Sequence, residues 1–461
     1  MKAIVELALN LVNSMAVIMV ITYLITRSRF YGEILAKKLT PRNQLLLVLI
    51  FGAFSIYGTL GGIELLGAIA NIRDLGPTIA GLIGGPVVGL GTGLIGGLHR
   101  LTLGGFTVYS CSLSTVLAGL IGGAVYLLRK GKFPNIKTAV LLSVAIEIMH
   151  LGIALAISKP FSQALALVQQ IVAPMILANG AGMAVFAFMV NNLIRERATE
   201  AAKRQIEGEL LVARQIQMGI IPRIFPPFPE RSEFDIHALL EPAKEVGGDF
   251  YDFAFVDEHH LFFAVGDVSG KGVPASLFMA VTRTLLRSRT EAGSSPAQIL
   301  SAVNNELCRD NDTSMFATVF CGILDAISGE VSYSSAGHES PYHLSTAGVA
   351  PLARARGIAL GAMEDVRYQT QTITLSPGET IVVYTDGVTD AMSKAGDFWD
   401  NEGLLQSLQD AGQLTTSEII GKVLKDLRLF ASETAQYDDI TLLALKFRGA
   451  GEQIASCIQD Q

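Results

Sequence analysis

Aspartates at the ends of apolar segments are the residues of this sequence best suited to chemistry. Each lies beside a run of β-branched or aromatic residues and has glycine or another turn residue next to it, which would let several carboxylates converge without crowding. They are Asp249, Asp267, Asp386 and the pair Asp438 and Asp439. Converging aspartates without histidine or cysteine partners are typical ligands of a hard divalent cation, magnesium or manganese. One such aspartate would be an ordinary turn residue, but four sites favour a metal centre.

Other chemistries receive less support from the same region. The segment from Gly266 to Gly272 is one residue too short for a phosphate-binding loop, and Gly272 stands where that loop requires serine or threonine. Cys321 has no arginine at the spacing of a cysteine phosphatase. His338 is a candidate general acid, although a histidine that fixes the shape of its own turn is the favoured interpretation.

The elements that must position these aspartates alternate between strands and helices. β-branched or aromatic runs occupy 261–265, 318–324, 329–334, 380–384 and 440–447, and helical patterns occupy about 275–288, 296–308 and 416–431. The second and third runs are separated by the short turn 326–329, which is typical of a hairpin. We therefore predict an α/β domain with largely antiparallel sheets and helices outside them.

In their order along the chain, these motifs resemble the SpoIIE/RsbU branch of the PPM/PP2C-like serine/threonine phosphatase superfamily over about residues 210–448. The segments that carry the resemblance are 213–217, 221–222, 246–252, 266–275, 336–338, 385–390 and 438–441. The resemblance implies a β-sandwich flanked by helices, and metal-dependent hydrolysis of phosphoserine or phosphothreonine on a protein. Two Mn²⁺ or Mg²⁺ ions about 3.5–4 Å apart would activate a bridging water for in-line attack.

The same resemblance implies a role for each motif residue. The catalytic metal ligands would be strand-end carboxylates and one backbone carbonyl: Asp249, Asp267, Val268, Asp386 and Asp438. Whether Asp438 or Asp439 is the principal last ligand is left open. Three further residues would either support the ligands or shape and cap their own turns, strands and helices: Asp252, His338 and Asp390.

The two parts of the chain differ sharply in charge. Residues 1–193 carry 13 Lys/Arg and 5 Asp/Glu, whereas residues 194–461 carry 22 and 37. The chain has 461 residues, of which 50% are hydrophobic and 17% charged, which suggests about two to four domains and excludes a wholly disordered chain or an arginine-rich nucleic-acid binder. The four cysteines have neither zinc-site spacing nor disulfide-scaffold density. We expect a membrane part followed by a soluble, acidic part.

Six apolar stretches have about the 20 residues of a membrane-spanning helix. They are 3–26, 44–63, 77–98, 106–128, 138–158 and 162–193. The first is too long for a removable signal peptide and is expected to remain as an anchor. Basic clusters at 129–137 and 195–204 place the soluble half in the cytoplasm, but the basic loop 27–42 conflicts with strict alternation of six spans. Five or six crossings, and either side for the N-terminus, are left open.

Glycines recur at every fourth position from Gly81 to Gly97, which makes one helix face without side chains. Such a face predicts close packing against a neighbouring helix. Polar and ionisable residues around it support a second interpretation, ligand sensing, because such groups are costly at membrane depth. The candidate sensing residues are Asn71, Arg73, Asp74, His99 and Arg100.

The segments 71–76, 80–86, 98–100 and 104–107 resemble the LytS-type multispan sensor domain, a five-span receptor type, over about residues 30–193. This resemblance implies an input domain of bacterial signalling proteins and names no ligand. After it, residues 194–221 predict a charged helical connector that ends at Pro222. Its apolar stripe would either pack on its own catalytic domain or form the seam of a homodimer. The stripe consists of Ala202, Ile206, Leu210, Ala213 and Gln217.

The sequence thus predicts a sensor domain at 1–193, a connector at 194–221, a phosphatase domain at 222–448 and a tail at 449–461. The leading hypothesis is a receptor phosphatase of the bacterial inner membrane, whose substrate, by the resemblance, is a phosphorylated STAS-type anti-sigma-factor antagonist in a partner-switching pathway. The alternative is a membrane ligand-binding or transporter-like protein with a non-catalytic scaffold domain. Intact carboxylates count against that alternative, and no nucleic-acid partner is expected.

Overall fold

The computed structural model of the chain describes residues 39–66, 68–309 and 311–449, together with Asn13, Ala16, Val17, Val20 and Tyr23. The predicted first span, 3–26, lies outside the described residues apart from those five, and the predicted tail lies outside them from residue 450 on. The chain divides into two compact units, Met1–Arg204 and Gln205–Gln461.

Five described helices are long and apolar enough to cross a membrane. They are α1 (Pro41–Leu60), α2 (Leu75–Thr102), α3 (Val108–Leu128), α4 (Ile136–Ile157) and α5 (Phe161–Ile220). A short antiparallel hairpin of β1 (Ile63–Leu65) and β2 (Ala68–Ala70) joins α1 to α2. The helices match five of the six predicted spans in position.

The glycine face of α2 packs against α3, as its spacing predicts. Gly81 and Gly89 both face the backbone carbonyl of Gly119, and a Cβ atom at either position would overlap that carbonyl. The helix is interrupted at Gly85, whose φ of 82° lies in the region that favours glycine, and Pro86 follows it. Close backbone approach of the two helices is therefore possible only without side chains.

Helix α5 continues from the last apolar stretch through the connector and ends at Ile220, beside Pro222. Only the end of the predicted apolar stripe is covered: Gln217 is buried, Leu210 and Ala213 are half-buried, and Ala202 and Ile206 are exposed. Within the second unit, the last turn of the stripe is therefore the part that packs against other residues.

In the described part of the second unit, the strands form two five-stranded sheets, and the strands paired in them are antiparallel. The first has the order β10-β7-β6-β5-β4, and its strands are β4 (Phe250–Phe255), β5 (His260–Val268), β6 (Ala317–Asp325), β7 (Glu330–Ala336) and β10 (Gln371–Thr374). The second has the order β3-β12-β11-β8-β9, and its strands are β3 (Phe234–Glu241), β8 (Tyr342–Ser345), β9 (Gly348–Pro351), β11 (Thr380–Tyr384) and β12 (Ile440–Phe447).

Alternation along the central strands builds the layers of this unit. In β5, Leu261, Phe263 and Val265 enter the core between the sheets, whereas Phe262 and Ala264 enter the core under the helices α6 (Val273–Arg289) and α7 (Pro296–Arg309). The strand β12 alternates in the same way between the inter-sheet core and a third core. Helices α9 (Asp400–Leu408) and α10 (Thr416–Ala431) cover that third core.

Because both faces of the central strands are buried, they appear in the sequence as continuous apolar runs. The predicted fold class, a helical membrane bundle followed by an α/β sandwich with helices outside, is confirmed.

Candidate metal centre

Two of the predicted aspartates meet at one edge of the first sheet. Asp267 stands near the end of β5, and Asp249 directly precedes β4. These strands are antiparallel with Phe250 opposite Gly266, so the next pair outward is Asp249 opposite Asp267. The hairpin thus brings together two carboxylates that are 18 positions apart in the printed sequence.

The other aspartates lie at the matching edge of the second sheet. Asp386 begins the one-turn helix α8 (Asp386–Thr389) after β11, and Asp438 and Asp439 precede β12. The end of β11 lies beside the start of β12, where the backbone N–H of Thr385 donates to the carbonyl of Thr441 at 3.1 Å.

Asp249 joins the two edges. Its Oδ2 accepts a hydrogen bond from the Thr385 hydroxyl at 2.7 Å and another from the Thr441 hydroxyl at 2.6 Å. Both threonines belong to the second sheet's edge, whereas Asp249 leads into the first sheet. The strand-end carboxylates of both sheets are therefore held in one region.

Asp439 has a different position from its neighbour Asp438. Its Oδ1 accepts from the N–H of Ala243 at 2.8 Å, and its Oδ2 accepts from the N–H of Gly248 at 2.8 Å and of Asp249 at 3.4 Å. Both carboxylate oxygens are thus used to fasten the loop before β4. A Cβ atom on Gly247 would overlap the Asp439 carboxylate, which explains the glycine there.

The Asp438 carboxylate contacts a lysine, and its Oδ1 accepts the backbone N–H of Asp439 at 3.0 Å. Its Oδ2 lies 2.9 Å from the Lys271 Nζ, which also donates to the carbonyl of Tyr437 at 2.7 Å. Both side chains of this ion pair are about one-third exposed. Although desolvation opposes the shift, the hydrogen bond and charge of Asp438 raise the pKa of Lys271.

Negative charge accumulates in this region. Burial and the Asp267 and Asp439 carboxylates raise the pKa of Asp249 well above its ordinary value. Burial and Asp386 raise the pKa of Asp267 to about 7. Burial, Asp438 and Asp390 raise the pKa of Asp386. A cation placed among these carboxylates would relieve their mutual repulsion and keep them ionised.

The residues fit divalent cations by donor type as well as by charge. The donors are carboxylates, and the carbonyl of Val268 lies so close to Gly248 that a Cβ there would come within 2.7 Å of it. Among the described residues, no three of these carboxylates have oxygens within 4.8 Å of one another.

Asp252 binds two arginines of a helix. It is buried, and its Oδ1 accepts from the Arg283 guanidinium at 3.0 Å and from the Arg287 guanidinium at 2.8 Å. Both arginines belong to α6, the helix that follows the Asp267 loop. Asp252 thereby ties α6 to the strand that begins directly after Asp249.

His338 and Asp390 occupy turns. Burial lowers the pKa of His338 to about 4, so this side chain is neutral at physiological pH and lacks the imidazolium proton that a general acid would donate. Its backbone N–H donates to the Ser335 hydroxyl and its Nδ1 lies 3.0 Å from the Thr318 hydroxyl, which favours the turn interpretation. Asp390 is exposed, and its backbone N–H donates to the Asp386 carbonyl at the end of α8.

In the membrane bundle, four of the five candidate sensing residues are buried. Arg73 donates to the Thr115 hydroxyl at 2.7 Å and lies 3.6 Å from the Asp74 carboxylate, as an internal ion pair would. Asn71 accepts from the backbone N–H of Arg73. Arg100 is fully buried and donates to the carbonyl of Gly104 at 2.6 Å.

His99, the fifth candidate, is half-buried.

Sequence reasoning missed several residues that hold these sites together. They are Thr385, Thr441, Lys271, Arg283 and Arg287 around the metal centre, and Glu147 and His150 in the bundle. The threonines stand inside the motifs, but nothing in their spacing shows that they reach Asp249.

Comparison with known proteins identifies both halves. A family model described as stage II sporulation protein E (SpoIIE) matches residues 257–448, and one described as 5TMR of 5TMR-LYT matches residues 28–193. Phosphoserine phosphatase RsbU of Bacillus subtilis is 30% identical over 245 residues, which cover 53% of this chain and 71% of RsbU. The chain belongs to the RsbU family. It combines a SpoIIE-type PP2C-like phosphatase domain with a multi-pass membrane sensor domain of the five-span LYT type, and both predicted resemblances are confirmed.

Other relatives match one part of this RsbU-family chain or differ from it in length. Protein IcfG of Synechocystis is 32% identical over 287 residues, which cover 56% of this chain and 45% of IcfG. Sensor histidine kinase BtsS of Escherichia coli is 38% identical over 186 residues, which cover 39% of this chain and 33% of BtsS. The chain thus spans less than half of these two proteins. The solved SiaA-PP2C domain of Pseudomonas aeruginosa is 25% identical, with a TM-score of 0.47, and the match covers 54% of this chain and 99% of that domain.

Proposed function

We propose that this protein is a membrane-bound receptor phosphatase that hydrolyses phosphoserine or phosphothreonine on a protein substrate. The observation that carries the proposal is the position of Asp249, which receives hydrogen bonds from Thr385 and Thr441 of one sheet and leads into a strand of the other. This arrangement concentrates carboxylates that repel one another. A scaffold domain without catalysis has no need of such a cluster, so the observation counts against the non-catalytic alternative.

The proposed ligands of two divalent cations, manganese or magnesium, are Asp249, Asp267, Asp386, Asp438 and the carbonyl of Val268. Such ions, when bound, supply an activated water and polarise the phosphoryl oxygens. Thr385 and Thr441 fix the rotation of the Asp249 carboxylate, because both donate to the same oxygen and leave Oδ1 directed elsewhere.

We assign the principal last ligand to Asp438 and a positioning role to Asp439. Both oxygens of Asp439 accept backbone N–H groups, whereas the Asp438 carboxylate contacts a partly exposed lysine ammonium and one backbone N–H. Exchange of Lys271 for a metal ion is easier than release of the loop that Asp439 fastens. Asp439 would act through Gly248 and Asp249 by keeping their loop in place.

The proposed substrate is a phosphorylated STAS-type anti-sigma-factor antagonist of a partner-switching pathway. The support is the family, since RsbU is named a phosphoserine phosphatase. The proposed location is the bacterial inner membrane, with the phosphatase domain on the cytoplasmic side. The support is the positive charge of the clusters at 129–137 and 195–204, because basic residues next to membrane spans favour the cytoplasmic side.

The test uses the full chain in lipid nanodiscs with manganese and a panel of phosphorylated STAS proteins. We expect phosphate release that stops in chelator and in Asp267→Asn and Asp386→Asn, because each change removes one charge from the metal ligands at almost constant volume. The matched control is Asp410→Asn, an exposed aspartate after α9, which should retain activity. Full activity of both ligand variants in chelated buffer would rule out the metal assignment.

We propose that the membrane signal reaches the phosphatase through the end of α5. Gln217 is buried, donates to the carbonyl of Gly247 at 2.8 Å and accepts from its N–H at 3.2 Å. Gly247 lies two residues before Asp249, so a rotation of α5 would move the loop that carries a metal ligand. Helix α6 is the proposed receiver, because Asp252 ties it to the strand after that loop.

The signal itself is proposed to be a small ligand of the bundle, with Asn71, Arg73, Asp74, His99 and Arg100 as the sensing residues. The exposed apolar side chains of the connector, Ile206 and Ile216 among them, are consistent with a homodimer seam along α5.

A further inference from the structure

Three ionisable side chains converge in the membrane bundle, and all three precede the phosphatase motifs in the sequence. Asp74 directly precedes α2, and Glu147 and His150 lie one turn apart on α4. One ligand atom of each lies within 4.8 Å of the other two. All three residues are buried, with 5%, 1% and 5% of their surfaces exposed.

The atoms that face one another make no well-aligned hydrogen bond. Asp74 Oδ2, Glu147 Oε1 and His150 Nδ1 have no partner with hydrogen-bond geometry within the described part of the chain, although Nδ1 lies within ion-pair distance of both oxygens. Burying such groups without partners is costly, and more costly still inside a membrane. An occupant that accepts electron pairs from all three atoms would remove that cost.

We propose that Asp74, Glu147 and His150 form a second metal site, separate from the phosphatase centre, for a divalent transition metal ion of the zinc type. His150 Nδ1 lies 3.1 Å from Asp74 Oδ2 and 3.5 Å from Glu147 Oε1. Ligand atoms on a tetrahedron with bonds of about 2.0–2.1 Å are about 3.3 Å apart. The two distances therefore bracket the spacing that one zinc ion requires, with the fourth position left for water or a signal molecule.

In each proposed ligand, the atom that does not face the metal site contacts a neighbouring side chain. Such contacts fix the orientation of ligands in known metal sites. Thr115 of α3 donates to Asp74 Oδ1 at 2.7 Å, and Asn179 of α5 donates to Glu147 Oε2 at 3.0 Å. The Cys111 sulfur lies 3.4 Å from His150 Nε2. A proton on Nε2, directed at this sulfur, leaves the lone pair of Nδ1 free for a metal ion.

Charge is compatible with the same occupant. A metal ion on Nδ1 takes the place of a proton there, and with His150 neutral in this way the two carboxylates face one nearby guanidinium among the described residues, that of Arg73, which lies 3.6 Å from Asp74. A divalent ion would neutralise the uncompensated charge. It would also connect the start of α2 to the middle of α4, so its binding or loss is suited to changing the packing of the bundle.

The test counts metal in the full chain, purified in nanodiscs, with Asp267→Asn and Asp386→Asn together to disable the phosphatase centre. After dialysis against a weak chelator and titration with zinc, we expect about one ion per chain by mass spectrometry. Adding His150→Gln or Glu147→Gln should lower the zinc affinity at least about 100-fold, and Asn179→Leu, which keeps all three ligands, about 10- to 100-fold. The control is Glu64→Gln, an exposed carboxylate of the same unit, which should bind zinc unchanged.

Cobalt in place of zinc should give the visible absorption of a four-coordinate ion in the control and lose it in Glu147→Gln. A chain that retains no ion in the double phosphatase variant overturns the proposal and leaves a protonated His150 between two carboxylates as the explanation of the geometry. Unchanged zinc affinity in His150→Gln and Asn179→Leu overturns it equally. The metal count does not depend on phosphatase activity, so it decides this site whatever the outcome for the proposed function.

Discussion

Substitution of the adjacent residues Asp438 and Asp439 by asparagine should separate metal binding from folding. In Asp439→Asn, one of two acceptor oxygens becomes an NH₂ group that faces a backbone N–H of Ala243 or Gly248. The loss of one charge-assisted hydrogen bond and one unsatisfied donor together cost about 2–5 kcal/mol. In a domain of this size that corresponds to a fall in Tm of roughly 5–15 °C.

Asp438→Asn should leave stability almost unchanged in chelator. Its ion pair with Lys271 is about one-third exposed on both sides, so its loss costs less than about 1 kcal/mol. Removal of the Asp438 charge also relieves repulsion on Asp386, which acts in the opposite direction. The manganese affinity of Asp438→Asn, by contrast, should fall at least about tenfold. Loss of a residue that only contacts a metal ligand already has an effect of that size.

The chain offers a local probe for this comparison. Trp399 is the single tryptophan of the sequence and is buried in the core under α9 and α10, so its fluorescence reports unfolding of the phosphatase unit in the full-length protein. Denaturant unfolding in chelator, followed by Trp399 fluorescence, gives stability, and calorimetric titration with manganese gives affinity. If Asp439→Asn is stable but binds no manganese while Asp438→Asn binds normally and unfolds early, the two roles are reversed.

Three further predictions concern the bundle, the connector and the buried histidine. Arg73→Ala should change phosphatase output more than membrane insertion, whereas Gly89→Leu should lower the folded yield because the leucine side chain would meet the Gly119 carbonyl. Output assays check the first variant and size-exclusion profiles the second. Unchanged output in Arg73→Ala together with normal folding of Gly89→Leu would contradict both expectations. One alanine inserted after Glu207 rotates the rest of α5 by about 100° and should lock phosphatase output high or low. Seven inserted alanines nearly restore the original helix face and should preserve regulation. Equal signalling from both insertions would show that the connector is a passive tether. Burial lowers the pKa of His338 from 6.5 to about 4, so between these pH values the unfolded chain binds a proton that the folded chain does not. Carboxylates with a raised pKa, Asp267 among them, act in the opposite direction in the wild type and in His338→Gln alike. The stability of the wild type relative to His338→Gln should therefore fall by about 3 kcal/mol as the pH drops through this window, and a difference that stays constant with pH in Trp399 fluorescence unfolding would refute this.

The sequence by itself determined the layers of the fold and the identity of the reactive groups. Strands such as β5 and β12 are buried on both faces, so their β-branched and aromatic runs stand out against the turns. The spacing of Gly81 and Gly89 predicted a helix face because the period of a helix depends only on local geometry. Aspartates next to glycines at strand ends predicted carboxylate chemistry, because residue types and turn residues are also local features of the sequence.

Only the tertiary structure decided what each carboxylate contacts. Asp438 and Asp439 are identical in chemistry and adjacent in the chain, but the chain bends at Asp438, shortly before β12 begins. The Asp438 carboxylate meets Lys271, and the Asp439 carboxylate meets the backbone of a loop almost 200 positions earlier. Asp252 likewise reveals its partners only when α6 packs on its strand.

The bundle shows the same limit. Glu147 and His150 stand one turn apart in an apolar helix, and that spacing alone is compatible with simple packing. Asp74 reaches them because the glycine face of α2 lets α3 approach closely and because Thr115 and Asn179 hold the carboxylates from two other helices. Contacts between residues so distant in the chain depend on how whole helices pack, which no local pattern of residue types records.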